Sequence, residues 1–437
     1  MGLEIVQILA SGTYGHVAVV RDDDSGDLLA AKVLKEAHAA NPKLVSRLRD
    51  EAALLARLKH PNVVGRAELR EIGGHPVLLM EWVRGVPLQA ILGRHETGLD
   101  PANVCEIVRL TAAAMDAAWH KPDPATGEPI HLIHRDLKPS NLLMSVDGEI
   151  KIVDLGIAHG SFSGKESETV SVVLGAHGYL APERLDGAED EQSGDVFALG
   201  CIFFELLTGR KVALSLHPGH HAERMERHLM HLRPEGVSPR VVGHLAELVA
   251  RMAAYEPADR PTYTEVVREI EQLLFTTGWR PNLAELAERD VVPLLLDRKF
   301  LSPRAHPAWE SLAFLESNRR RRRKKGVPRE SDETLRAFLA SDRWFRRRPQ
   351  LHRLLAIDPS WTSAPFVELL DRLRRQDRRG LLGWLLRRER DPFVAEQILA
   401  VLHILEARPD DAVRKRAWRL VGHRDPEISA IATGTVR

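Results

Sequence analysis

Eight residues, His134-Arg135-Asp136-Leu137-Lys138-Pro139-Ser140-Asn141, constrain this chain more than any other stretch. They put a carboxylate, an ammonium and a primary amide within six positions of one another. Asp136 can hold a hydroxyl, and Lys138 can set a cation beside a phosphate. The side-chain oxygen of Asn141 can ligate a hard divalent ion. Thirteen residues after Asn141, Asp154-Leu155-Gly156 offers a second hard oxygen on a Gly-terminated turn. Groups of this kind supply positioning and charge rather than covalent chemistry, which is what a moving phosphoryl group needs.

Upstream, Ile5 to Leu9 reads as a strand. It is followed by Ala10-Ser11-Gly12-Thr13-Tyr14-Gly15-His16-Val17 and a second apolar run to Val20. Two strands joined by Gly12 and Gly15 can fold over a triphosphate, because glycine lets backbone N–H groups come close. Taken alone, the same pattern is a surface hairpin. Leu28 to Leu34 is apolar except for Lys32, and a lysine in a buried strand needs a partner, a ligand or a route to water. Val45 to Lys59 reads as a helix, with Leu44, Leu48, Leu55 and Leu58 recurring at helical spacing. Val77 to Gly85 is an apolar strand running into a hinge, and Pro101 to His120 is again helical. Lys121 to Pro129 reads as a surface excursion, and Glu265 to Leu274 as the last helix before Phe275.

These motifs, arriving in this order over roughly residues 3–275, resemble the protein kinase family, specifically the bacterial serine/threonine kinases of eukaryotic type. The resemblance implies an α+β bilobal fold, a small β-rich lobe and a large α-helical lobe, binding ATP and Mg²⁺. It implies that Asp136 orients the acceptor hydroxyl of a protein substrate, with Lys138 beside the phosphate. Lys32 would hold the α- and β-phosphates and pair with Glu51, chosen over Asp50, which faces about 100° away on a helix. Asn141 and Asp154 would hold the metal. Ala10, Gly12, Gly15 and Val17 would cover the nucleotide, with Ala10 standing where the family pattern has its first glycine. Met80 would be the gatekeeper, Glu81 and Val83 would read the adenine edge through their backbone, and Ala30, Val17 and Leu143 would sandwich the ring.

By the same resemblance His134 is a packed structural histidine, Arg135 awaits a phosphate on the activation segment, and Asp195 braces the catalytic loop. Glu183 and Arg260 would form a long-range ion pair. Ser161, Ser163, Ser167, Thr169 and Ser171 fall in the expected activation segment, with autophosphorylation expected at Ser167, Thr169 or Ser171. Ala176 stands where the family has a threonine whose hydroxyl bonds the catalytic groups, a loss of about 1 kcal/mol that lowers activity without abolishing it.

Composition bounds the rest. The 437 residues are 44% hydrophobic and 28% charged, which suits a soluble chain of two or three domains. Cys105 and Cys201 form no CxxC pair, so a reducing compartment is expected. The start lacks a basic flank followed by an apolar core, and no apolar run reaches the ~20 residues of a bilayer span, so a cytoplasmic location is expected. The formal net charge of +1 hides an asymmetry: residues 276–437 carry 34 Lys+Arg against 22 Asp+Glu, and residues 1–275 carry 28 against 39. The tail could meet an anionic partner or present an ordinary solvated face.

Seven consecutive cations, Arg319 to Lys325, lie in a helical linker over 276–345. With no aromatic residues interleaved, nucleic acid is disfavoured as their partner. In 346–437 Asp-Pro recurs at Asp358, Asp391 and Asp425, and each pair can open a helix. Repeats of this length resemble HEAT-like all-α solenoids, which implies a protein-docking surface. The expectation is a serine/threonine protein kinase with a helical interaction tail. Its rivals are a pseudokinase scaffold whose tail binds partner proteins, a small-molecule kinase, and a helical-repeat adaptor carrying an autoinhibitory kinase module.

Overall fold

The computed structural model describes residues 2–123, 126–155, 178–185, 191–212, 218–230, 232, 237–297, 306–316, 330–340, 351, 364–373, 401 and 431. The chain divides into two units, residues 1–29 with 292–437, and residues 30–291. The activation-segment residues Ser161 to Ala176, the Arg319 to Lys325 run and all three Asp-Pro pairs lie outside the described residues.

In the first unit, β1 (Leu3–Ser11) and β2 (Gly15–Asp22) pair antiparallel, from Leu3 opposite Asp22 to Ser11 opposite His16. Gly12 N–H donates to the Gly15 carbonyl at 2.9 Å and closes the turn. The register slips twice along β1, between Ile5 and Gln7 and between Ile8 and Ala10. Leu3 and Ile5 are buried, as are Ala18, Val19 and Val20. Later in the chain, two short helical turns, Trp309–Leu312 and Ala313–Glu316, bury Leu312 and Leu315. Glu316 Oε1 accepts the Ile5 backbone N–H at 3.1 Å. Further on, helix Glu330–Ala340 meets a helix over 364–373. Arg336 pairs with Glu368 at 3.0 Å, and the Arg372 guanidinium donates to the Leu339 carbonyl at 2.5 Å.

The second unit begins within β3 (Leu28–Leu34), at Ala30, and continues with a short α1 (Glu36–Ala39) and α2 (Pro42–Arg57). The helix starts three residues before the expected Val45. Asn41 Oδ1 accepts the Lys43 N–H at 3.0 Å, and Pro42 takes the first helical position, where its missing N–H costs nothing. Its buried face is Leu48, Glu51, Ala52 and Leu55, at helical spacing, so one carboxylate is carried into the core with the leucines. β4 (Glu68–Ile72) and β5 (His75–Glu81) form a hairpin with Ile72 opposite His75. Gly73 and Gly74, at φ 59° and 80°, supply the two left-handed residues that such a turn requires. β5 lies between β3 and β4, so four of its residues in a row, Val77 to Met80, are buried.

The helical part follows. β6 (Gly85–Pro87) and α3 (Leu88–Leu92) lead to α4 (Pro101–Trp119), capped by Asp100, which accepts the Asn103 N–H at 3.0 Å. β7 (Leu142–Ser145) and β8 (Ile150–Ile152) complete a sheet in the order β6-β7-β8. α5 (Pro182–Leu185) precedes α6 (Gln192–Thr208), which is buried on every side from Gly194 to Thr208, as an apolar helix without a polar face must be. α7 (Pro218–Leu229), α8 (Pro239–Met252) and α9 (Tyr263–Thr277) follow.

α9 opens on a reciprocal capping box. Thr262 accepts the Glu265 N–H, and Glu265 reaches back to the Thr262 N–H at 2.8 Å. Thr262→Ala is expected to cost about 1 kcal/mol in urea unfolding with no change in m-value. Packing in this unit continues past Phe275 to Val291. Gly148, at φ 84°, turns so close to Leu283 that a Cβ there would lie 2.5 Å from the Leu283 carbonyl carbon. His95 Nε2 sits 3.1 Å from the buried Asp290 carboxylate.

Candidate active site

Three charged groups from three elements of the second unit meet at one point. Lys32 on β3 places Nζ 2.9 Å from both oxygens of Glu51 on α2, and 2.8 Å from Asp154 Oδ1 just beyond β8. Burial pulls the Lys32 ammonium toward neutrality, but the Asp154 and Glu51 carboxylates outweigh it and hold its pKa well above the ordinary lysine value. Burial likewise pushes the Asp154 carboxyl up, and Lys32 more than offsets this, so Asp154 stays below the usual carboxylate range. Glu51 ends above that range, because burial there wins over Lys32. The cluster is therefore a fixed cation held between two carboxylates.

The loop from His134 to Asn141 is built around Asp195, which is fully buried in the first turn of α6. A buried carboxylate must be hydrogen-bonded. Asp195 accepts the His134 N–H at 2.5 Å, the Arg135 N–H at 2.9 Å, an Arg184 guanidinium N–H at 2.9 Å and the Tyr263 hydroxyl at 3.3 Å. His134 is also fully buried. Its Nδ1 accepts the Asp136 N–H at 3.3 Å, so Nε2 carries the proton and donates to the Val153 carbonyl at 3.1 Å. Val153 N–H returns a bond to the Asn141 carbonyl at 3.0 Å. Val153, the residue before Asp154, is thus tied to the loop at both His134 and Asn141. Arg135 and Asp154 take φ values of 68° and 56°, which are unfavourable for residues with a Cβ and persist only where the surroundings hold them.

The result is a second polar cluster. Lys138 Nζ lies 2.7 Å from Asp136 Oδ2. Asn141 Nδ2 donates to the Asp136 carbonyl at 2.8 Å and to its Oδ2 at 3.1 Å. With the amide nitrogen so engaged, the amide oxygen is the atom left for a cation. Among the described residues no group of three or more His, Cys, Asp or Glu forms a metal cage. Two protein oxygens, one from Asn141 and one from the ionised Asp154, fit Mg²⁺, which takes few protein ligands and fills its octahedron with phosphate and water.

Met80 is buried at the end of β5, beside the strand that carries the buried Ala30. Val83 is buried just past β5, and Leu143 is half-buried on β7, opposite Pro87 and Lys151. Ala10 and Gly12 are exposed at the tip of the β1–β2 hairpin, with Gly15 and Val17 half-buried behind them.

Sequence reasoning missed several supports. The Glu81 side chain holds the hinge: Oε2 accepts the Gly65 N–H at 2.9 Å, and Oε1 pairs with Lys151 at 2.9 Å. Arg184 joins Asp195 and also reaches the Arg135 carbonyl at 3.4 Å. Tyr179 donates to the Glu205 carboxylate. Arg184 follows Ala181-Pro182-Glu183 directly, a position that could have flagged it; the other pairings had no signal. Glu183 and Arg260 do pair, at 2.6 and 2.8 Å.

A family model described as "Protein kinase domain" matches residues 3–270. This chain belongs to the protein kinase family. It is similar to the serine/threonine-protein kinase PknD of Mycobacterium tuberculosis, at 32% identity over 59% of this chain and 37% of that protein. It is also similar to PknA of the same organism, at 32% identity over 47% of this chain and 46% of PknA. The crystal structure of the M. tuberculosis PknI kinase domain matches at 25% identity over 62% of this chain and 96% of its own, with a TM-score of 0.45. The chain thus spans less than half the length of the curated relatives it matches.

Proposed function

We propose that this chain is a serine/threonine protein kinase that uses ATP and Mg²⁺ to phosphorylate hydroxyls of proteins, including its own activation segment. The observation that carries the reading is the pair of polar clusters: Lys32 held between Glu51 and Asp154, and Asp136 held between Lys138 and Asn141, joined through Val153. A metal ion held by Asn141 and Asp154 would neutralise phosphate charge. The chain's own residues do the rest. Lys32 offsets charge on the α- and β-phosphates, and Glu51 keeps its stem extended. Asp136 accepts a hydrogen bond from the acceptor hydroxyl and then its proton, as the new O–P bond forms and the bond to the departing ADP oxygen breaks. Lys138 sits beside the phosphoryl group in transit, and Asn141 and Asp154 hold the cation. The intact polar set argues against the scaffold reading.

No described helix is long and apolar enough to cross a membrane. The two buried free thiols, Cys105 and Cys201, fit a reducing compartment, and we place the protein in the cytoplasm. Residues 346–437 would dock protein partners.

Lys32→Met tests the reading. It leaves Glu51 and Asp154 without their shared cation. Autophosphorylation, followed by mass spectrometry after incubation with MgATP, is expected to fall at least about a hundred-fold. Phosphate incorporation matching the wild type would defeat the enzyme assignment.

A further inference from the structure

A cleft of about 620 Å³ lies on the helical part, away from the two polar clusters, lined by α7, the end of α8 and the segment before Arg260. Its floor is apolar, with Met225 buried, Leu229 half-buried and Met230 exposed at 58%. Its rim carries three exposed carboxylates, Glu226, Glu256 and Asp259. At the back is His221, only 2% exposed. His221 Nε2 lies 2.8 Å from the Ala253 carbonyl, so that nitrogen bears the hydrogen and Nδ1 is a bare acceptor. Nδ1 is buried and has no hydrogen-bond partner among the described residues. The lining therefore offers Nδ1 no donor and carries three carboxylates, while Arg224 and Arg260 stand near His221 without lining the cleft. Arg260, nearby, gives its guanidinium to Glu183 and to backbone carbonyls.

We propose that this cleft docks an exposed arginine of a partner protein, flanked by an apolar residue. An arginine stem is apolar and its head is a fork of donors. The stem lies along Met225 and Met230, the flanking residue covers Leu229, and the guanidinium donates to His221 Nδ1 and to the rim carboxylates. A neutral donor would satisfy Nδ1 and leave three carboxylates unmatched; an acidic segment would be repelled. Burial, with Arg260 and Arg224 nearby, lowers the His221 pKa, which favours the form in which Nδ1 is an acceptor. The proposal is independent of phosphoryl transfer, because docking needs no nucleotide.

The test uses the full chain without ATP and two labelled peptides, acetyl-Gly-Leu-Arg-Leu-Gly-amide and the same peptide with citrulline for arginine, read by fluorescence anisotropy. Citrulline keeps the shape and loses the charge. Saturable binding of the arginine peptide is expected, about ten-fold tighter than the citrulline peptide and weakened by salt. The double variant Glu256→Gln, Asp259→Asn should lose a similar factor with an unchanged melting curve. In ¹⁵N-histidine spectra, assigned with His221→Phe, the His221 Nδ1 resonance should move on saturation. Equal affinity for the two peptides, no binding of either, or an unmoved Nδ1 resonance overturns the proposal.

Discussion

Asp136→Asn is expected to lower the turnover number about a thousand-fold while leaving the fold intact. The replacement fills the same space and still meets Lys138 and Asn141, which lie 2.7 and 3.1 Å from Oδ2. It removes the base and the negative charge facing Lys138. The KM for ATP should move little, since the nucleotide phosphates are held by Lys32 and the metal ligands. Radiolabel transfer from MgATP to a protein substrate, beside a melting curve, separates the two effects. Turnover equal to the wild type would take Asp136 out of the chemistry. A large drop in melting temperature would show instead that its bonds to Lys138 and Asn141 are mainly structural.

Arg260→Leu is expected to produce the largest loss of stability, about 3–5 kcal/mol in urea unfolding. The Arg260 side chain is buried and spends its guanidinium on five acceptors. These are both oxygens of Glu183 and the carbonyls of Ala254, Ser193 and Tyr255, at 2.6 to 3.1 Å. Leucine leaves a carboxylate that is only 17% exposed without its cation, and three carbonyls without a donor. Glu183→Gln in the same background should be far less costly than in the wild type, because the two residues act as one unit. A loss below about 1 kcal/mol would class the pair with exposed ion pairs.

What could be read from the residues alone was whatever lies at a short, fixed offset within one element. Glu51 falls on the same helical face as Leu48 and Leu55, so the leucines that mark the buried side also mark the carboxylate that must find a cation. Asp136, Lys138 and Asn141 share one loop. Asp195 was legible because an acid in the first turn of a largely apolar helix has to be satisfied by something. The other donors to Asp195 were not legible. Arg184 and Tyr263 come from elements 11 and 68 residues away, and nothing periodic links them. Lys151 and Glu81 are likewise 70 residues apart, and each alone reads as an ordinary charged residue of a strand. The start of α2 was misjudged because apolar spacing begins at Leu44, whereas Asn41 and Pro42 set the backbone.

The bond from Ile5 to Glu316 bears on how the protein behaves when shortened. β1 is the outermost strand of its sheet, and Glu316 occupies one of the N–H groups on its open side. A fragment cut where the family match stops would lose that carboxylate together with Leu312 and Leu315. It would present an uncovered edge able to recruit a strand from another molecule. Glu316 therefore leaves the β1 edge one open N–H fewer for such pairing.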